Sequence, residues 1–112
     1  MENLIIFTAE NFDEQVLASG VPVLVDYWAP WWGPCRILGP VVDDIAVELA
    51  GSLKVGKINV EEEPELAARA GVRGIPTVVL YRGGEVAGQA LGAQPKGALE
   101  AELGLDALPA AR

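Results

Sequence analysis

Along this chain short apolar runs alternate with stripes in which apolar residues return every three or four positions, a pattern that predicts strands exchanging with helices. Leu4-Ile5-Ile6-Phe7 reads as a first strand. Thr8 reads as the N-cap of a helix from Ala9 to Ala18 that turns Phe12, Val16 and Leu17 inward and ends at Ser19-Gly20. Residues 22–28 are almost continuously apolar rather than alternating, as expected of a strand covered on both faces and central in its sheet. Leu38, Val41, Val42, Ile45, Ala46 and Leu49 then form a stripe along a helix over Ile37 to Leu49, with Pro40 predicting a kink and Gly51 a stop. Leu53 to Val60 predicts a third strand. Helix-plus-strand units in succession imply right-handed crossovers and parallel pairing.

In the second half, Glu61 to Pro64 is an acidic lead into a helix over Glu65 to Ala70, which Gly71 closes. Ile75 to Tyr81 reads as a fourth strand. Arg82-Gly83-Gly84-Glu85 reads as a hairpin turn, so Glu85 to Ala90 should return antiparallel until Gly92 breaks it. Pro95 to Leu103 predicts a closing helix, and Asp106 to Arg112 a frayed tail. No repeat or linker interrupts the series, so residues 1–112 read as one domain of the α/β class.

Composition narrows the chemistry more than the fold. A formal charge of −8 argues against nucleic acid and against docking on an anionic membrane, since both need a basic patch. No apolar run reaches the ~20 residues of a membrane span. No basic region precedes the first apolar run, so no secretory signal is expected and the expected compartment is the cytoplasm. The chain has no histidine and a single cysteine, Cys35, which removes histidine-based triads, ordinary zinc sites and any internal disulfide. No cofactor is implied.

What remains is Tyr27-Trp28-Ala29-Pro30-Trp31-Trp32-Gly33-Pro34-Cys35-Arg36, a strand feeding a Gly-Pro turn that opens a helix. A helix start offers unpaired N–H groups and partial positive charge, which favour a thiolate. A redox turn of the C-x-x-C kind needs two thiols, and Trp32 stands where the first would be. Asp26 is a lone carboxylate in an apolar strand, where an ionised group is costly and a raised pKa would suit a proton acceptor.

The order of elements and several local motifs resemble thioredoxin. The match rests on Val25-Asp26-Tyr27-Trp28-Ala29, on Trp31-x-Gly33-Pro34-Cys35, on Gly74-Ile75-Pro76-Thr77, and on Lys57, Gly83-Gly84 and Gly92, running from about Leu4 to Leu103. The resemblance implies a thioredoxin fold, a central mixed five-stranded sheet flanked by four helices. It implies a parent activity of protein-disulfide reductase acting in electron transport. The family pattern at the turn is W-C-G-P-C, so the resolving role falls on Cys35 and the nucleophile role on no residue. Asp26 becomes the buried proton acceptor for Cys35, with Lys57 beside it. Ile75-Pro76 becomes a cis-proline loop that, with Gly74, Gly92 and Ala93, completes a groove for extended peptide beside Trp31, Gly33 and Pro34. The partners implied are thioredoxin reductase and disulfide-containing or extended protein segments, met as a monomer.

Plainer roles stand beside these. Cys35 is a thiol packed under the helix start or a monothiol nucleophile. Asp26 and Lys57 are a partly solvated pair without a task or a proton relay. Trp28 is expected in the core, and Trp31 and Trp32 exposed as a binding patch. Glu61-Glu62-Glu63 reads as a solvated helix start. Three functions follow: a thioredoxin impaired in dithiol turnover, a redox-inactive binding module using Trp31-Trp32 and Ile75-Pro76, or a monothiol enzyme using Cys35.

Overall fold

The computed structural model describes residues 4–111. Five strands form one sheet in the order β1-β3-β2-β4-β5, with β1 Leu4–Ile6, β2 Val23–Trp28, β3 Lys54–Asn59, β4 Thr77–Arg82 and β5 Glu85–Leu91. β3 runs parallel to both β1 and β2, while β2–β4 and β4–β5 are antiparallel. The nearly unbroken apolar run of β2 thus lies mid-sheet, where both faces must be covered.

Alternation along β2 divides the core. Leu24 faces α1 (Gly33–Glu48) and α3 (Lys96–Leu103), packing with Leu38, Val42, Ile45, Val78 and Leu99. Val23, Val25 and Tyr27 face the other way, toward Phe12, Val16 and Leu66 of α2 (Pro64–Arg69). There the Tyr27 and Tyr81 hydroxyls share a buried hydrogen bond of 2.8 Å, and burial pushes both phenols up.

Three expectations from sequence need correction. The helix over Ala9 to Ala18 is a five-residue π-helical segment, Asp13–Leu17, and Thr8 gives it no side-chain cap. Instead the Asn11 side chain folds back, accepting from the Thr8 N–H at 2.8 Å and donating to the Ile6 carbonyl at 3.0 Å. Such side-chain bonding to nearby backbone competes with regular helix. Phe12 and Val16 are nevertheless buried as expected. With this segment counted, four helices flank the sheet.

The second correction concerns two boundaries. α1 begins at Gly33 rather than Ile37, so it contains Cys35; β4 begins at Thr77, after the cis Ile75–Pro76 bond.

The third concerns the tail, which is docked rather than frayed. Leu105, in a 3₁₀ turn over Leu105–Ala107, is fully buried in the core under α1 and α3. The Ala111 N–H donates to the Glu48 carbonyl at 2.6 Å, and Ser52 Oγ donates to the Pro109 carbonyl at 2.8 Å. Arg112 and Met1–Asn3 lie outside the described residues. Leu105→Ala should therefore cost about 2–5 kcal/mol in a urea titration, the range for emptying a buried leucine site; a loss under about 0.5 kcal/mol, typical of surface positions, would contradict the docking.

Candidate functional site

The turn between β2 and α1 is built by its own backbone. The Trp32 N–H donates to the Ala29 carbonyl at 3.2 Å, and the Trp32 carbonyl accepts from the Cys35 and Arg36 N–H groups at 3.1 and 3.3 Å. Trp32 holds the N-cap position with extended backbone, and Pro34 sits in the first turn, where a missing N–H costs nothing. Cys35 consequently points inward and Trp32 outward. Cys35 is 2% exposed, whereas Trp31 and Trp32 are 60% and 42% exposed.

The helix start favours a thiolate at Cys35, but burial wins. Desolvation pushes the thiol above its ordinary value; a backbone hydrogen bond from Ala29 opposes this, the smaller Asp26 charge adds to it, and the Lys57 charge pulls it back.

Asp26 lies on the α1 face of β2, in register with Lys57 on β3 and Val78 on β4. It is 1% exposed, and among the described residues neither carboxylate oxygen has a hydrogen-bond partner. Burial pushes its pKa from 3.8 to about 7, with Lys57 lowering it and Asp43 of α1 raising it. Lys57 forms no ion pair with it; the ammonium rests 4.0 Å from the centre of the Trp28 ring. Of the two, Asp26 is buried and Lys57 half-buried. Trp28 is half-buried under this cation rather than in the core.

β2, β4 and β5 alternate in direction, so the end of β2, the start of β4 and the end of β5 share one edge. Gly74-Ile75-Pro76 therefore stands across from Trp31-Trp32-Gly33-Pro34, with Gly92-Ala93 alongside. The loop is fastened: Thr77 Oγ1 donates to the Gly74 carbonyl, and the Gly92 N–H donates to the Pro76 carbonyl at 2.8 Å. Gly92 needs its positive φ of 94° to make that turn. Trp31, Trp32, Gly33, Pro34, Gly74, Ile75, Pro76, Gly92 and Ala93 gather here, with Cys35, Asp26 and Lys57 beneath, whereas the Gly83-Gly84 hairpin lies at the opposite end of the sheet.

Three contributors escaped the sequence reading. Glu61, exposed at the helix approach as the sequence predicts, also accepts from Trp31 Nε1 at 2.6 Å, and Asn59 Oδ1 accepts from the Glu61 N–H at 2.9 Å. Asp43 follows Val42 on the flank of the α1 stripe and acts on Asp26 across the packing of α1 on the sheet, which helical spacing within α1 does not reveal.

Comparison with known proteins agrees with this architecture. A family model described as Thioredoxin matches residues 3–104. The chain is 48% identical over 96 residues to Thioredoxin 1 of Nostoc sp., covering 86% of this chain and 90% of that one. It is 48% identical over 102 residues to thioredoxin of Allochromatium vinosum, covering 91% and 95%. With the chloroplastic M-type thioredoxin of Chlamydomonas reinhardtii it shares 51% identity over 87 residues, covering 78% and 62%. An α/β fold with a thiol in the first turn of a helix that follows the central strand defines a class built for thiol–disulfide chemistry. This chain belongs to the thioredoxin family. The family's general activity is protein-disulfide reduction, and its members normally work with thioredoxin reductase and disulfide substrates.

Proposed function

We propose that this chain is a thioredoxin-family protein that lacks dithiol turnover, because its turn offers no accessible thiol. The observation that carries this is the contrast across one helical turn. The exposed position is filled by the Trp32 indole, and the only thiol, Cys35, is buried with its pKa raised. Exchange begins when a thiolate attacks a disulfide sulfur, and an indole cannot.

In this reading Cys35 keeps the resolving position, Asp26 remains the proton acceptor beneath it, and Lys57 tunes that acceptor. Trp31, Gly33, Pro34, Gly74, Ile75, Pro76, Gly92 and Ala93 form the surface that meets extended protein segments or thioredoxin reductase. The chain acts as a cytoplasmic monomer without nucleic acid, membrane or cofactor. Among the described residues no helix is long and apolar enough to cross a membrane.

The test is reduction of a protein disulfide by dithiothreitol with and without the chain. The expected rate is that of dithiothreitol alone, and catalytic acceleration would refute the proposal. The monothiol alternative is checked by alkylation: Cys35 should react with iodoacetamide at pH 7 at least about tenfold more slowly than a free thiol. Labelling at the free-thiol rate, abolished by Cys35→Ser, would favour the monothiol enzyme instead.

A further inference from the structure

Trp31 and Trp32 do not stand free on the surface. Their rings meet at 5.9 Å between centroids, tilted by 59°, and each indole N–H is fixed to a different neighbour. Trp31 Nε1 donates to Glu61 after β3, and Trp32 Nε1 donates to the Ile75 carbonyl at 3.1 Å. Two indoles pinned at their outer ends thus run from the β3 end, past the start of α1, to the cis-proline loop.

The Ile75 carbonyl is part of the backbone edge that, on the proposed reading, would pair with an extended peptide. Strand addition needs that edge open, because main-chain hydrogen bonds supply the affinity. Here one acceptor direction is already taken by an N–H of the chain itself, and a ring lies where a strand would approach. We infer that Trp32 is an internal plug of the peptide groove, its indole N–H standing in for the N–H of a bound strand. An incoming segment must first displace the ring from Ile75, so the binding-competent state is only a fraction of the molecules and apparent affinity falls by that fraction.

This inference rests on the groove assignment above, yet it can fail separately from it. The test uses the full chain and a blocked, cysteine-free hexapeptide of alternating apolar and polar residues, with a backbone N-methylated twin as control. Trp32→Phe keeps a ring but deletes the N–H, one net hydrogen bond, and should tighten binding by about fivefold. Trp32→Ala should tighten it further, and the methylated twin should bind none of the three proteins measurably.

On ¹⁵N-labelled protein the Trp32 Nε1–H signal should exchange more slowly than free indole and shift when peptide is added. Equal affinity of the parent and both variants, or no binding by any of them, overturns the plug. So does free-indole exchange at Trp32. None of these outcomes touches the missing nucleophile, which is tested by turnover and not by peptide binding. If Trp32→Ala fails to fold, Trp32→Phe and the exchange measurement decide alone.

Discussion

Trp32→Cys is expected to raise thiol-driven reduction of protein disulfides from background by on the order of 10³-fold or more, the scale on which loss of a nucleophile is felt in other enzymes. Position 32 is suited to the task for reasons that do not depend on the residue now there. It is the N-cap of α1, on the solvent side of the turn, and the partial positive charge of the helix start lies beside it. A thiol there would be accessible and favoured as thiolate, the two conditions Cys35 fails together. After that thiol attacks a substrate disulfide, Cys35 is one helical turn away to release the mixed disulfide. Its proton has a nearby acceptor in Asp26, which titrates at about 7.

The double variant Trp32→Cys with Cys35→Ser should accumulate mixed disulfide without turning over. Addition of Asp26→Asn to Trp32→Cys should slow the resolving step and move its pH profile. A Trp32→Cys protein that folds and takes up no disulfide exchange would mean the scaffold has lost more than one sulfur.

The second large effect is on stability. Asp26 is an ionisable group sealed into the core with no hydrogen-bond partner among the described residues, and burial holds its proton to about pH 7 against 3.8 for an ordinary aspartate. The folded chain therefore keeps this proton after the unfolded chain has released it. Its contribution is neutral below about pH 4, becomes steadily unfavourable as pH rises from 4 to 7, and stays at its full cost above that. A separation of this size corresponds to about 4 kcal/mol at pH 8.

Asp26→Asn should remove that slope and be more stable than the parent at pH 8 by about 2–4 kcal/mol, with the advantage gone near pH 4. Urea midpoints of both proteins at pH 4, 6 and 8 read this directly. Parallel curves would show that Asp26 ionises without penalty.

Both effects trace to residues that stand out in the sequence. Asp26 interrupts an apolar strand, and the continuity of that strand is what places it mid-sheet, so its burial was legible from local pattern. Cys35 and Trp32 were legible as a turn, and helical geometry makes their opposite exposures a matter of which face each takes. The elements that were misread depend on partners distant in sequence or on side chains competing with backbone. The first helix is shortened by Asn11, whose amide bonds back to the chain. The residues from Asp106 on have the composition of a tail, and only partners distant in sequence, the core under Leu108 and the bonds of Pro109 and Ala111 to Ser52 and Glu48, hold them down. Likewise nothing local to Trp32 announces that its N–H will meet Ile75, forty-three positions away in sequence.

All three tryptophans of the chain, Trp28, Trp31 and Trp32, sit at the same end of the sheet, one under the Lys57 ammonium and two pinned across the turn. Intrinsic fluorescence of this protein is accordingly a local signal. Emission should respond when a ligand lifts Trp32 from Ile75, and Trp28 is placed to respond when Asp26 gains or loses its proton two positions before it on β2. Undocking of the residues around Leu105, in the core cluster under α1 and α3 that contains none of the three tryptophans, should pass unseen by fluorescence and register only in circular dichroism. A thermal melt followed by both signals would separate opening of the site from loss of the core.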